Sequence, residues 1–197
     1  MFLGQRLRVE GNHFGVYEKG GAQLYLTNAV DHVRIVNNVF LGTDPRLPGH
    51  HALVGLIVGS SGSRRLPHDV VIANNTILTG ARRPDGYEGS IRMASRYGAV
   101  PRRERPILVN NVIGWLASTW PVCNAIRASI TNVMLRGHPC SVADRVGNPR
   151  LDSRGRPTAA SKLLIGRASR RYSPATDITG RARGRAPDIG AYEYRRR

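Results

Sequence analysis

Arg92 in Ser-Ile-Arg-Met (Ser90–Met93) and Arg127 in Asn-Ala-Ile-Arg-Ala (Asn124–Ala128) are the residues best suited by type and setting to do chemistry. Apolar residues flank each at period two, which makes each the outward residue of a short strand, with Ile91/Met93 and Ile126/Ala128 inward. Two guanidiniums about one strand spacing apart, ~4.8 Å, grip a carboxylate through bidentate hydrogen bonds. Neutralising a carboxylate in this way is also what removal of a proton from the neighbouring carbon requires, because negative charge develops as that proton leaves. The step needs a base. Tyr97, in the stretch after Arg92, and Tyr25, outward on an earlier strand, would serve if nearby arginines lowered their pKa, and Lys19 is a further candidate. The plainer reading makes both arginines solvated charges and the three bases ordinary surface residues.

The remaining polar groups carry less. Asp31-His32 and His68-Asp69 share one corner of two successive repeats, where Asp is favoured because its side chain bonds local backbone amides. His13, His50, His51 and His138 show no ligand spacing. Cys123 and Cys140 stand 17 apart, which does not match a Cys-x-x-Cys metal site, so no metal and no cofactor is expected. They either pair, in an exported protein, or remain two buried thiols. Hydrolysis between two carboxylates and calcium-dependent elimination both lack their acidic groups on the outward strand positions. Asp85 and Glu88 stand against Arg82 and Arg83 as loop charges. Gly59–Arg65 lacks the Lys-Ser/Thr of a phosphate loop, and Asn74-Asn75-Thr76 is a formal glycosylation sequon inside a repeat.

The elements that must position these groups come from one phrase written four times. LRVEGNHF (Leu7–Phe14), VRIVNNVF (Val33–Phe40), VVIANNTI (Val70–Ile77) and PILVNNVI (Pro106–Ile113) each hold an aliphatic third, Asn sixth and Phe or Ile eighth. The Asn residues are Asn12, Asn38, Asn75 and Asn111, at intervals of 26, 37 and 36. A fixed phrase with variable spacers reads as a repeat architecture with insertions on loops. Alternation at period two makes the phrase a strand. The recurring Asn is the one polar inward residue, and stacked amides can satisfy one another as a ladder. A second strand recurs between phrases, with outward residues Tyr25, Ile57, Arg92 and Arg127 in turn.

Composition agrees with short strands and many turns: Gly is abundant, at 22 residues, and 41% of the chain is hydrophobic. The net charge is +17, and all but Lys19 and Lys162 of the 30 basic residues are Arg. Residues 147–197 contribute +9 of it, a field that attracts polyanions. No run approaches a membrane span, and Met1–Arg8 does not read as an export signal. The first phrase starts at Leu7 with nothing to cover it, so a longer protein of which this is the C-terminal part is expected.

The phrases VRIVNN and VVIANNTI resemble those of the right-handed parallel β-helix family, the pectate-lyase-like superfamily, over residues 7–146. SPATDITGRARGRAPDIGAYEY (Ser173–Tyr194) is similar to the closing segment of many bacterial secreted β-helix proteins, with more Arg. The resemblance implies an all-β, single-stranded parallel β-helix of about four coils over residues 1–146. A basic, irregular tail over 147–197 would lay Ile189 and Tyr192 over the last coil as a cap. It also implies a secreted or cell-surface protein with a substrate groove along the second strand. The expected function is binding of an acidic polysaccharide, with or without β-eliminative cleavage: Arg92, Arg127 and Tyr97 would be catalytic, and Tyr25, Arg92 and Arg127 would bind substrate. The alternative is a non-catalytic surface scaffold or adhesin. Specific nucleic-acid binding is not expected, because aromatic stacking platforms do not alternate with the basic residues. Oligomeric state is not legible.

Overall fold

The computed structural model describes residues 6–15, 22–26, 30–42, 54–59, 65–79, 90–116 and 122–195. Strands dominate these residues, and the only helical pieces among them are short 3₁₀ turns. In chain order the strands begin β1 (Arg6–Glu10), β2 (His13–Phe14), β3 (Ala22–Leu26), β4 (Asp31–Val36) and β5 (Val39–Leu41). Next come β6 (Val54–Val58), β7 (Val71–Ala73), β8 (Thr76–Leu78) and β9 (Ile91–Met93). They end with β10 (Ile107–Val109), β11 (Val112–Leu116), β12 (Ala128–Ile130), β13 (Val133–Gly137) and β14 (Arg145–Val146).

Three sheets result, and every ladder is parallel. A three-stranded sheet has the order β3-β6-β9, a five-stranded sheet β1-β4-β7-β10-β12, and a six-stranded sheet β14-β13-β11-β8-β5-β2. The chain visits them in rotation, one strand per sheet on each pass, as β3-β4-β5, β6-β7-β8 and β9-β10-β11. Residues that repeat in the sequence therefore lie one above another. The register is the one the phrases imply, since Arg34 pairs with Val71 and Val71 with Ile107.

Between the sheets lies a single apolar core. Val33, Ile35, Phe40, Leu56, Val58, Ile72, Ile77, Leu108, Ile113 and Met134 are each 0% exposed, which is the inward set of the period-two pattern. Burying each such side chain contributes about 1.5–3 kcal/mol.

The corner joining the five- and six-stranded sheets carries two polar columns. In the inner one, the backbone N–H of Asn12, Asn38, Asn75 and Asn111 donates to Oδ1 of the next Asn, at 2.9–3.0 Å. Each Nδ2 donates to the same Oδ1. The four residues read as a ladder in the sequence do form one, and it continues further than the phrase. Asn132 is its fifth rung, and Asp144 closes it, accepting from Asn132 N and Nδ2 at 3.0 Å each. A carboxylate suits the last place because it only accepts. The other Asp144 oxygen takes Ser129 Oγ and the N–H groups of Cys140 and Ser141.

The outer column is Asn37, Asn74, Asn110 and Thr131, with φ of 53, 52, 56 and 52°. The chain turns the corner in the left-handed region, which Asn tolerates better than most residues. Gly11 has the same place in the first phrase, at φ 71°. The side chains of this column point away from the core, to the tail.

The tail is not an end cap. It lies along the outside of the corner and spans several passes. Asn37 Nδ2 donates to Thr176 O, Asn74 Nδ2 to Asp188 O, and Asn110 Nδ2 to Ser169 O. Ile189 packs with Leu164 on Val112 and Val133, whereas Ala191 and Tyr192 pack on Val39. Tyr172 covers Val36, Ala73 and Val109 on the outside of the five-stranded sheet. The outward residues of both sheets are apolar at these places, so burial holds the tail to their flanks. Gly190, at φ 98°, lies so close that a Cβ there would meet Thr76 Oγ1 at 2.9 Å and Val112 Cγ2 at 3.0 Å.

Candidate functional site

The three-stranded sheet is as the sequence implied for its first three members. Leu24, Leu56 and Ile91 are in register, as are Leu26, Val58 and Met93, and Tyr25, Ile57 and Arg92 form the outward row. Tyr25 is 49% exposed, and Arg92 is exposed too.

Arg127 does not belong to that row. Residues Val122–Ala125 form a 3₁₀ turn beside β9, and the next strand, β12, pairs with β10 in the five-stranded sheet. The N–H of Arg127 donates to Pro106 O, so Arg127 stands level with the start of β10. The pass is also the shortest, with only 21 residues between Asn111 and Asn132 against 26, 37 and 36 in the earlier intervals. Arg92 and Arg127 therefore leave the molecule from different sheets, not as neighbours on one.

Tyr97 is 1% exposed, packs in the core cluster and donates its hydroxyl to Pro67 O at 2.7 Å. Burial raises its pKa well above the ordinary tyrosine value, the reverse of the shift a base requires. It anchors the stretch 94–105 to the core. Lys19, His50, His51, Asp85 and Glu88 lie outside the described residues. His32 and Asp69 turn the corner before their strands at φ 54 and 45°, which fits their reading as turn residues. Asn74 is fully buried and hydrogen-bonded to the tail, which leaves no room for a glycan on the sequon. Cys123 and Cys140 are disulfide-bonded, with Cα atoms 5.1 Å apart, and tie the 3₁₀ turn to the segment before Asp144. Among the described residues no group of three or more His, Cys, Asp or Glu could hold a metal ion. No helix among them is long and apolar enough to cross a membrane.

What gathers around Arg127 is a cleft of about 430 Å³ lined by His68, Asp69, Arg103, Glu104, Arg105 and Arg127, floored by Val70 and Ile107. Two 3₁₀ turns, Ser95–Gly98 and Arg102–Glu104, lie on the stretch that walls it. Arg105 braces that wall. Its guanidinium donates to Gly98 O, Val100 O and Asn124 O, at 2.9, 3.0 and 2.6 Å. Arg102 Nε donates to Arg127 O at 3.2 Å. Asp69 is matched by Arg34, whose Nη2 lies 2.9 Å from Asp69 Oδ2. Arg103 approaches Glu104 only to 3.8 Å, with its side chain 81% exposed, a pairing of little energetic weight. Arg103, Arg105 and Arg127 thus line the cleft against the weakly paired Glu104, and the cleft is electropositive. Its signal in the sequence is the run Arg102-Arg103-Glu104-Arg105.

No protein-family model, curated protein or solved structure matches this chain.

Proposed function

We propose that this chain binds an acidic polysaccharide in the cleft around Arg127, and that its three sheets wind as a right-handed, single-stranded parallel β-helix of about four coils. The rotation through three parallel sheets supports the winding, as do the stacked amides at one corner and the closing segment fastened beside them. The observation that carries the binding reading is the convergence of Arg103, Arg105 and Arg127 on a cleft whose wall Arg105 braces. Guanidinium forks suit planar carboxylates. The partly exposed Ile107 also gives an apolar sugar face a surface to rest on. The disulfide supports a secreted or cell-surface location.

Cleavage is the second reading, and it rests on the Tyr25–Ile57–Arg92 row rather than on the cleft. There Arg92 would hold the uronate and Tyr25 would take the proton, without help from Arg127 or Tyr97. The separation of these groups favours binding without cleavage, as in a surface scaffold or adhesin.

The test is incubation with polygalacturonate, alginate and glycosaminoglycans, following both binding and the absorbance of unsaturated product. Binding without absorbance is expected, weakened by Arg127→Gln by about 1.5–3 kcal/mol, the range for hydrogen bonds to charged groups. A rise in absorbance abolished by Arg92→Ala would establish the lyase reading instead. Undiminished binding by Arg127→Gln would remove the cleft from the account.

A further inference from the structure

On another flank of the molecule the tail forms a second cleft, of about 220 Å³, lined by Arg156, Asp177, Thr179, Arg181, Tyr192, Glu193, Tyr194 and Arg195, with Pro157 at its edge. Its parts are held in place. Tyr192 is 5% exposed, packed on Val39 and Ala191, with its hydroxyl 3.4 Å from His13 Nε2. The Arg156 guanidinium sits 5.4 Å over the Tyr192 ring, a cation–π contact that restrains an otherwise mobile side chain.

Both carboxylates of the cleft are already engaged with the protein. Asp177 Oδ1 accepts from the N–H groups of Thr179 and Arg181 and from Thr179 Oγ1, and its Oδ2 accepts from Glu193 N. Glu193 Oε2 accepts from Arg183 Nη1 at 2.9 Å and from Asp188 N at 3.1 Å. Arg156, Arg181 and Arg195 form no ion pair with any acid among the described residues. Three guanidiniums, Arg156, Arg181 and Arg195, line the cleft against two engaged acids, so the opening favours an anion.

We propose that this cleft is a separate subsite for one carboxylated sugar unit, its carboxylate on Arg156 and Arg181 and its ring against Tyr194 and Pro157. At about 30 Å³ per water the space equals roughly seven waters, enough for one ring and not for an oligomer. The site stands apart from the Arg127 cleft in the fold, and it rests on the polysaccharide reading only for the kind of sugar.

The experiment titrates the whole protein with sodium galacturonate, and separately with sodium sulfate, and follows backbone amide resonances. Saturable shifts at Thr179, Arg181 and Tyr194 are expected with galacturonate. Arg156→Gln should weaken them at least fivefold, Arg156→Lys should restore part of the affinity, and Arg127→Gln should leave them unchanged. No saturable response, or one that Arg156→Gln and Arg181→Gln both leave intact, overturns the proposal. So does an equal affinity for sulfate, which would mark an anion site blind to the sugar. Loss of polymer binding in Arg127→Gln with these shifts preserved separates failure at one cleft from failure at the other.

Discussion

Asn75 shows what a single inward amide does in this fold. It accepts from Asn38 N and Nδ2, and its own Nδ2 reaches Ile35 O, Ala73 O and Asn111 Oδ1. Asn75→Ala leaves the buried Asn38 N–H without its acceptor, at about 1–3 kcal/mol, and takes one of several partners from Asn38 Nδ2 and Ala73 O. A loss of about 2–3 kcal/mol is expected in urea unfolding, whereas Asn12→Ala, at the exposed end of the column, should cost under about 1 kcal/mol. The tail carboxylates respond to pH with opposite signs. For Asp177, burial works to raise the pKa, but hydrogen bonds from Thr179, Glu193 and Arg181 outweigh it and hold it below the ordinary value of 3.8. Its contribution is therefore present above the ordinary carboxylate range and lost as pH falls through the folded value. Asp188 and Glu193 are raised, burial being the largest cause, so their contribution weakens as pH climbs from the ordinary range through their raised values. Asp177→Asn should lower the urea midpoint at pH 7, and the gap to wild type should shrink toward pH 2. A constant gap would deny Asp177 this role.

At the scale of elements, the four phrases were legible because period-two alternation and a repeated Asn are local signals. They set the strand register within residues 7–113 and identified Tyr25, Ile57 and Arg92 as one row. The fifth pass was hidden for a physical reason. Ser129 stands where the other copies have an aliphatic, and Thr131 stands at the corner otherwise held by Asn or Gly, so Asn132 was the only surviving cue. That short pass has the disulfide as its fastening. Cross-linking residues 17 apart removes about 3 kcal/mol of loop-closure entropy from the unfolded chain. Cys123→Ser with Cys140→Ser should lower stability by about that amount. Amide exchange should accelerate first in Val122–Ile130 and only later in β7 and β8.

Over the whole molecule, the tail is what the sequence concealed most, because its bonds to the corner reach 59 to 139 residues along the chain. The paired Asn-Asn of the phrases was the available sign: the second amide fits inside, and the first needs a partner outside. Arg183 joins tail to corner, with its side chain 2% exposed, a 2.9 Å ion pair to Glu193 and a 2.9 Å bond to Asn37 Oδ1. Burial lowers its pKa, and the carboxylates of Glu193, Asp177 and Asp188 oppose that shift. Arg183→Met leaves the partly buried Glu193 and the Asn37 Oδ1 without their partner, at a cost of up to about 3 kcal/mol. Limited proteolysis should then cut within residues 173–195 while β4 to β11 stay intact; unchanged resistance would contradict the role. The tail's bonds to Asn37, Asn74 and Asn110 also make it a gauge. Its knots are tied at fixed rungs, so inserting or excising one pass through the three sheets between the first and the third would leave a knot with nothing to tie to. This stretch of the molecule therefore has a metered length, and variants that change its tally of passes must re-cut the tail to match.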